Sequence, residues 1–270
     1  MLQQKKCFHD LLEFFYSSLS THSHLQVNLS GHIMEDEEFS ILFQALTKCT
    51  NVSTLHLELY QNYIEDNNLA LLGSALANSL NLSDLTVNLG CNQIQDQATS
   101  SLAEALKACT KIQKLQLFLN ENQIGDSSIQ NLSSGLSSCA NLSALTLDLM
   151  SNNIGSQGAL HLSSALVKCS MLSTLKIELY NNQIGDEGLS SLGHSIENCI
   201  KLSNLHIDVS DNQISDEGKL RFGIALQKCK NLSNLNIDLL YNNIDEDESQ
   251  FTFMNKILKI KKLINKTINT

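Results

Sequence analysis

The sequence contains no proline and only 12 glycines among 270 residues, so no stretch reads as a flexible linker between domains. No run of 18 apolar residues occurs, and a membrane-spanning helix is therefore not expected. The first 20 residues, MLQQKKCFHDLLEFFYSSLS, lack the form of a secretory leader, because Asp10 and Glu13 interrupt the apolar run and no small-residue cleavage site follows. Basic charge is scarce: 18 Lys and Arg face 28 Asp and Glu, for a net charge of −10. A nucleic-acid surface needs a basic patch to displace counterions, so no nucleic-acid partner is expected and partners with basic faces are favoured. Absent as well are a glycine-rich phosphate loop, a nucleophile elbow and a zinc-protease helix, which removes the usual sequence support for an enzyme.

What the chain has is a period. Asn62, Asn92, Asn122, Asn152, Asn182, Asn212 and Asn242 recur every 30 residues without an insertion, and His32 takes the same place one unit earlier. A fixed period between about 20 and 50 residues marks a repeat architecture, whose units bury their apolar faces only against one another. The chain is thus expected to form one continuous solenoid rather than two domains.

The unit at 171–200, MLSTLKIELYNNQIGDEGLSSLGHSIENCI, is the clearest copy. Leu175, Ile177 and Leu179 alternate with Lys176, Glu178 and Tyr180, which is a short strand with one apolar and one polar face. Asn182 and Gly185 are turn residues, and the asparagines are expected to stack as a hydrogen-bonded ladder. Asp186 stands where a helix should start, as do Asp36, Asp66, Asp96, Asp126, Ser156 and Asp216, and each is a residue type suited to capping its own helix. Leu192, Ser195, Ile196 and Cys199 then form one helical stripe. A strand of about 7 residues, a turn and a helix of about 12 fill the unit.

Leu-x-x-Leu-x-Leu-x-x-Asn-x-Ile/Leu is the signature of leucine-rich repeats, and the helical return leg resembles the ribonuclease-inhibitor-like subfamily. That subfamily includes sensor ends of innate-immune receptors and the GTPase activator of Ran. The resemblance covers residues 21–250 in eight consecutive units. Leu142, Leu145, Leu147, Leu149 and Asn152 show one departure, since the stretch before Asn is two residues longer than the family pattern. Two extra residues preserve the alternation, so a longer strand with a third core-facing side chain is expected. The implied fold is an α/β solenoid, a curved horseshoe with a parallel sheet on the concave face and helices on the convex face. Its curvature has a simple source: strands repeat at about 4.8 Å and packed helices at about 8–10 Å.

The expected organisation is an N-terminal capping helix over 1–20, with Leu12, Phe15, Tyr16 and Leu19 as its apolar stripe, the repeat array over 21–250, and a C-terminal capping helix with a basic tail over 251–270. That last helix is expected from about Glu246 to Lys262, with Asp245, Glu246, Asp247 and Glu248 at its start and Lys256, Lys259, Lys261, Lys262 and Lys266 at and beyond its end. Acid before base complements a helix dipole.

Six of the eight cysteines, Cys49, Cys109, Cys139, Cys169, Cys199 and Cys229, share the end of the helix stripe. Helices about 8–10 Å apart hold them beyond the roughly 7 Å Cα separation that a disulfide allows. Buried reduced thiols suit a reducing compartment, the cytoplasm or the nucleus. The Asn-x-Ser triplets at Asn51, Asn81, Asn141 and Asn231 belong to the repeat itself and are not read as glycosylation sites.

Neither metal nor cofactor is expected. His56 and His206 share the inner face but lie five units apart, about 24 Å at 4.8 Å per strand. His22, His24 and His32 lack a further ligand at a known spacing. Calcium needs six to eight oxygens that no loop supplies.

The inner face does carry a pattern. One position of the unit gives Glu58, Asn88, Phe118, Asp148, Glu178, Asp208 and Asp238, so four carboxylates fall on adjacent strands. Nearby stand Tyr60, Phe118, Met150, Tyr180, Leu240 and Tyr241, and Lys176 and His206 lie between. Aromatic anchors beside charge of one sign suit a protein-binding face, although duplication alone also explains a recurring acid. The expected function is a non-enzymatic, monomeric scaffold that binds a protein with a basic surface on units five to eight. Glu58, Tyr60, Phe118, Asp148, Met150, Lys176, Glu178, Tyr180, His206, Asp208, Asp238 and Tyr241 are the expected contact residues. The resemblance leaves two alternatives, a regulator of a small GTPase or the sensor part of a larger receptor or kinase.

Overall fold

The computed structural model describes residues 5–95, 99–244 and 248–270. In chain order the elements are β1 (Lys6–Phe8), α1 (Leu11–Phe15), a 3-10 turn (Leu19–Thr21), β2 (His24–Asn28), α2 (Asp36–Thr47), β3 (Thr54–Glu58), α3 (Asp66–Ala77), β4 (Asp84–Asn88), α4 (Thr99–Ala108) and β5 (Lys114–Phe118). There follow α5 (Asp126–Leu136), β6 (Ala144–Asp148), α6 (Ser156–Lys168), β7 (Thr174–Glu178), α7 (Gly185–Asn198), β8 (Asn204–Asp208), α8 (Asp216–Gln227), β9 (Asn234–Asp238), α9 (Glu248–Ile257) and β10 (Asn265–Asn269).

The strands pair only with their sequence neighbours, all parallel, in one ten-stranded sheet ordered β1 to β10. From β2 to β9 the register offset is 30, so each leucine pairs with the leucine of the next unit: Leu145 with Leu175, and Leu175 with Leu205. Leu55, Leu57 and Leu59 are all buried, as are their equivalents. The regular strand is five residues long rather than seven. Its ladder nevertheless continues through the third core residue, since the Leu59 N–H donates to the Asn88 carbonyl at 2.8 Å and the Gln61 N–H to the Gly90 carbonyl at 3.0 Å. The helices close the other side of the core with the stripe Leu192, Ser195, Ile196 and Cys199, all buried.

Helix-to-helix approach depends on small residues. A Cβ on Gly135 would stand 2.7 Å from the Ala103 backbone, so only hydrogen fits there. Gly193 and Gly223 instead make room for Phe222 and Phe253 of the following helices.

Two hydrogen-bond ladders run along the array. Each asparagine of the turn serves both its own unit and the one before. Asn182 Nδ2 donates to the Leu149 carbonyl at 2.9 Å and the Leu179 carbonyl at 3.0 Å, while its Oδ1 accepts the Ile154 N–H at 3.0 Å. Those are buried backbone groups that have left the strand ladder and need partners. His32 is exposed and holds no such place. The second ladder explains the Asn-x-Ser triplets. Asn141 Nδ2 donates to the Thr110 carbonyl and Ser143 Oγ to the Gln113 carbonyl, each reaching back one unit.

The ends and the helix starts differ from expectation. Residues 5–21 form β1, a five-residue α1 and a 3-10 turn rather than one helix. Leu12 and Tyr16 stand in solvent, Leu19 is buried as the stripe requires, and Phe8 and Phe14 are buried with it. The open edge of β2 has backbone groups that a helix cannot pair, and β1 satisfies them while Phe8 packs on Phe14 at 5.3 Å. At the other end α9 stops at Ile257, and the expected basic tail forms β10 against β9. Lys266 occupies the leucine place beside Leu235, with an offset of 31 instead of 30, so the strand has no apolar pattern to announce it. Asp245, Glu246 and Asp247, expected at the start of that helix, lie outside the described residues, as does Asp96.

The helix-start acids do not cap their own helices. Asp36, Asp66, Asp126 and Asp216 are first residues, preceded by Glu35, Glu65, Gly125 and Ser215 at the cap positions. The carboxylates of Asp36, Asp66 and Asp126 turn toward the next unit: Asp36 Oδ1 accepts from Asn68 Nδ2 at 2.9 Å, Asp66 Oδ1 accepts the Gln95 N–H at 2.9 Å, and Asp126 Oδ1 accepts the N–H groups of Gly155 at 2.7 Å and Gly158 at 2.8 Å. One residue further into the helix, the carboxylate lies sideways over the neighbouring helix start, where N–H groups stand free of intrahelical partners.

Candidate functional site

The inner face of β6 to β9 brings the expected carboxylates into one row. Asp148 pairs in register with Glu178, Glu178 with Asp208, and Asp208 with Asp238, with Phe118 of β5 beside Asp148. Side-chain alternation about the buried leucines puts this row outward, where each member is half-buried.

The aspartates are less free than their charge suggests. Asp148 Oδ1 accepts the Met150 N–H at 3.3 Å, Asp208 Oδ1 the Ser210 N–H at 2.9 Å and Asp238 Oδ1 the Leu240 N–H at 3.1 Å. Asn28 and Asn88 make the same bond to Ser30 and Gly90. This position of the unit therefore builds an Asx turn that ends the strand, a role short acceptor side chains fill. The signal was present in the sequence as Asp or Asn at five of its copies, but Glu58, Phe118 and Glu178 at the others hid it.

Glu178 has a different setting. Lys176 Nζ lies 2.8 Å and His206 Nε2 3.0 Å from its Oε1, and Asn236 Nδ2 is 2.7 Å from His206 Nδ1. Asn236 donates to Nδ1, which leaves Nε2 as the side of the imidazole that lies within ion-pair distance of the carboxylate. One polar chain thus ties β7, β8 and β9 together across the face. Asp238 is also engaged, by Ser210 Oγ at 2.6 Å and Asn269 Nδ2 at 2.8 Å. Ser210, Asn236 and Asn269 belong to this network and were not foreseen.

The protonation tendencies follow these surroundings. Burial pushes the carboxyl groups of Asp148 and Asp208 above their ordinary value, outweighing the turn N–H bonds. Burial acts on Glu178 in the same direction, but the hydrogen bonds from His206 and Lys176 outweigh it and hold the group low. Asp238 is held low in the same way, burial being overcome by Ser210, Asn269 and the Leu240 N–H. The row is two half-buried aspartates and two acids paired by their neighbours, not four equivalent charges.

Met150 and Tyr180 stand half-buried beside the row. Tyr241 does not share the strand face. It occupies the left-handed turn with φ of 59° and is 78% exposed, because the third position after the strand end adopts positive φ in unit after unit, as at Cys91, Asn181 and Asp211. Glu58 and Tyr60 lie on and just past β3, three strands away from β6, roughly 14 Å at the usual strand spacing, and so form no part of the cluster. The Tyr60 hydroxyl meets Cys91 Sγ at 2.8 Å.

Among the described residues, no three His, Cys, Asp or Glu side chains come together as metal ligands, and no helix is long and apolar enough to cross a membrane. All eight cysteines are free thiols, six of them buried.

Three segments, residues 145–163, 169–193 and 202–218, match a family model described as Leucine Rich repeat. Comparison with curated proteins finds no match. Among solved structures the chain is similar to internalin C2 from Listeria monocytogenes str. 4b F2365, at 22% identity over 84% of this chain and 92% of that one, with a TM-score of 0.43. The matched segments fall on units whose leucines pair in register and whose turn asparagines form the first ladder described above, and the fold is a leucine-rich repeat solenoid.

Proposed function

We propose that the protein is a non-enzymatic scaffold whose concave face, over residues 141–250, binds a protein with a basic surface. The observation that carries the reading is the in-register row of Asp148, Glu178, Asp208 and Asp238 beside Phe118, Met150 and Tyr180. A cationic side chain on a partner would relieve the mutual repulsion of acids on adjacent strands, and Phe118, Met150 and Tyr180 would supply the apolar contact on which interface affinity concentrates. Tyr241 extends this surface from the turn, and Lys176 and His206 orient Glu178 rather than meet the partner first. In this reading the protein works as a monomer in a reducing compartment, which its free thiols support. The helical return leg supports placement in the ribonuclease-inhibitor-like subfamily.

The test uses Asp148, Asp208 and Asp238 replaced together by asparagine, which keeps a turn acceptor and removes the charge. Wild type captures a partner from extract at low salt and releases it as salt rises, while the triple variant captures much less. Equal capture by both proteins, with folding unchanged, removes the site assignment.

A further inference from the structure

Because α9 ends at Ile257, the lysines beyond it leave the helix and turn a different edge of the solenoid basic. The C-termini of α7, α8 and α9 open on that edge. Between the loops that follow them lies a cleft of about 740 Å³. Its base is apolar: Cys199, Leu202 and Cys229 are buried, and Ile200 stands 69% exposed over them.

Lys228, Lys230, Lys259 and Lys261 line the cleft. They come from loops 30 or so residues apart, so stacking alone brings them together. The carboxylate among the lining residues, Glu197, is held by Lys228 at 3.0 Å. Lys230, Lys259 and Lys261 are exposed and have no carboxylate partner among the described residues. The helix dipole accounts for Lys228 at the C-cap of α8 but not for Lys230 and Lys261, which lie in loops. On a chain of net charge −10, three uncompensated ammonium groups around an exposed isoleucine call for a ligand that is acidic at its edges and apolar at its centre.

We propose that this cleft binds an acidic peptide segment of a partner protein, with an apolar side chain of the segment over Ile200 and its carboxylates on Lys230, Lys259 and Lys261. The site is separate from the concave face and of opposite charge. A compact polyphosphate fits less well, because the helix carbonyl ends behind the base carry partial negative charge and disfavour an anion placed there. Carboxylates spaced along a peptide meet the rim while the centre takes the apolar group.

The test is fluorescence anisotropy on the full chain with a short labelled peptide of glutamates and leucines, a matched peptide with serine for leucine, and inositol hexakisphosphate as competitor. The leucine peptide is expected to bind wild type. Its affinity should fall about tenfold or more in Lys230→Glu with Lys261→Glu and in Ile200→Asp, all exposed positions, but not in the concave-face asparagine variant. The serine peptide should bind about tenfold more weakly than the leucine peptide. Several results overturn the proposal: no binding of the leucine peptide by wild type, equal binding by the lysine variant, equal affinity of the serine peptide, or displacement by the polyphosphate at concentrations below those of the peptide itself. Sedimentation showing a dimer that the same substitutions dissociate also overturns it, since the occupant would then be a second copy.

Discussion

Asp186 and Ser215 stand 29 residues apart and are bonded twice: Asp186 Oδ1 accepts the Ser215 N–H at 2.7 Å, and Oδ2 accepts the Ser215 hydroxyl at 2.5 Å. Ser215 in turn caps α8 by accepting the Glu217 N–H at 3.2 Å. A carboxylate at the start of one helix thus positions the cap of the next, and the same arrangement recurs from Asp126 to Gly155.

Asp186→Ala should cost about 1–2 kcal/mol, the usual range for a lost helix cap. Asp186→Asn should cost less, because one oxygen remains to accept the Ser215 N–H. Urea denaturation measures both, and a double-mutant cycle with Ser215→Ala should show a coupling of about 0.5 kcal/mol or more. Additive effects would mean that the acid acts on its own helix only.

Asn182→Ala should be far more damaging. It orphans the N–H of buried Ile154 and removes one of the two amide donors to each of the Leu149 and Leu179 carbonyls, which Asn152 and Asn212 still serve, for a loss of about 2–6 kcal/mol at about 1–3 for the orphaned group and about 0.5–1.5 for each lost bond. Asn182→Asp should fare no better, since an acceptor would then face two carbonyls. Amide exchange should speed up at Ile154 in particular.

Acidic-face substitutions should change stability in opposite directions. Burial raises the Asp208 value in the folded state, so its ionised form costs stability, a cost that grows as pH rises through the folded value and vanishes below the unfolded one. Asp208→Asn keeps the Ser210 turn bond and should raise Tm at pH 7, with no difference near pH 3. Glu178 is held low against burial by His206 and Lys176, so its contribution is present above the unfolded value and lost as pH falls through the folded one. Glu178→Gln should therefore lower Tm at pH 7 and converge with wild type in acid. Melting curves from pH 3 to 7 check both signs.

The buried thiols should be inert in the native protein. Burial pushes Cys49, Cys169 and Cys229 up to about 12 and Cys109, Cys139 and Cys199 up to about 11, leaving almost no thiolate at neutral pH. A thiol reagent should label exposed Cys7 quickly and these six only after unfolding. Labelling of the six without unfolding would contradict the packed helix ends.

Gly135→Ala should destabilise by about 1–3 kcal/mol, because the new methyl group meets the Ala103 backbone rather than a movable side chain. Thermal melting reads the loss directly.

The expected site was legible only in part. The alternation about Leu145, Leu147 and Leu149 placed Asp148, Met150 and their equivalents on the outer side of the sheet, and the register aligns Asp148, Glu178, Asp208 and Asp238 across adjacent strands. The turn bonds from Asp148, Asp208 and Asp238 were hidden, because a side chain that closes its own turn looks in sequence like one that faces solvent. Tyr241 was misplaced by one residue of turn, enough to move a side chain from a strand face to a left-handed corner.

By itself the sequence determined the period, the α/β solenoid, the inward leucines and the asparagine ladder, since each is a local pattern repeated at fixed spacing. Tertiary structure decided which aspartate caps which helix, which acids are paired, that β1 and β10 close the sheet ends, and that four lysines share a cleft. Apart from the pairing of β1 with β2, those contacts join residues about 30 positions apart. They come into being only when neighbouring units stack, and no property of a single unit encodes the direction in which a side chain reaches across.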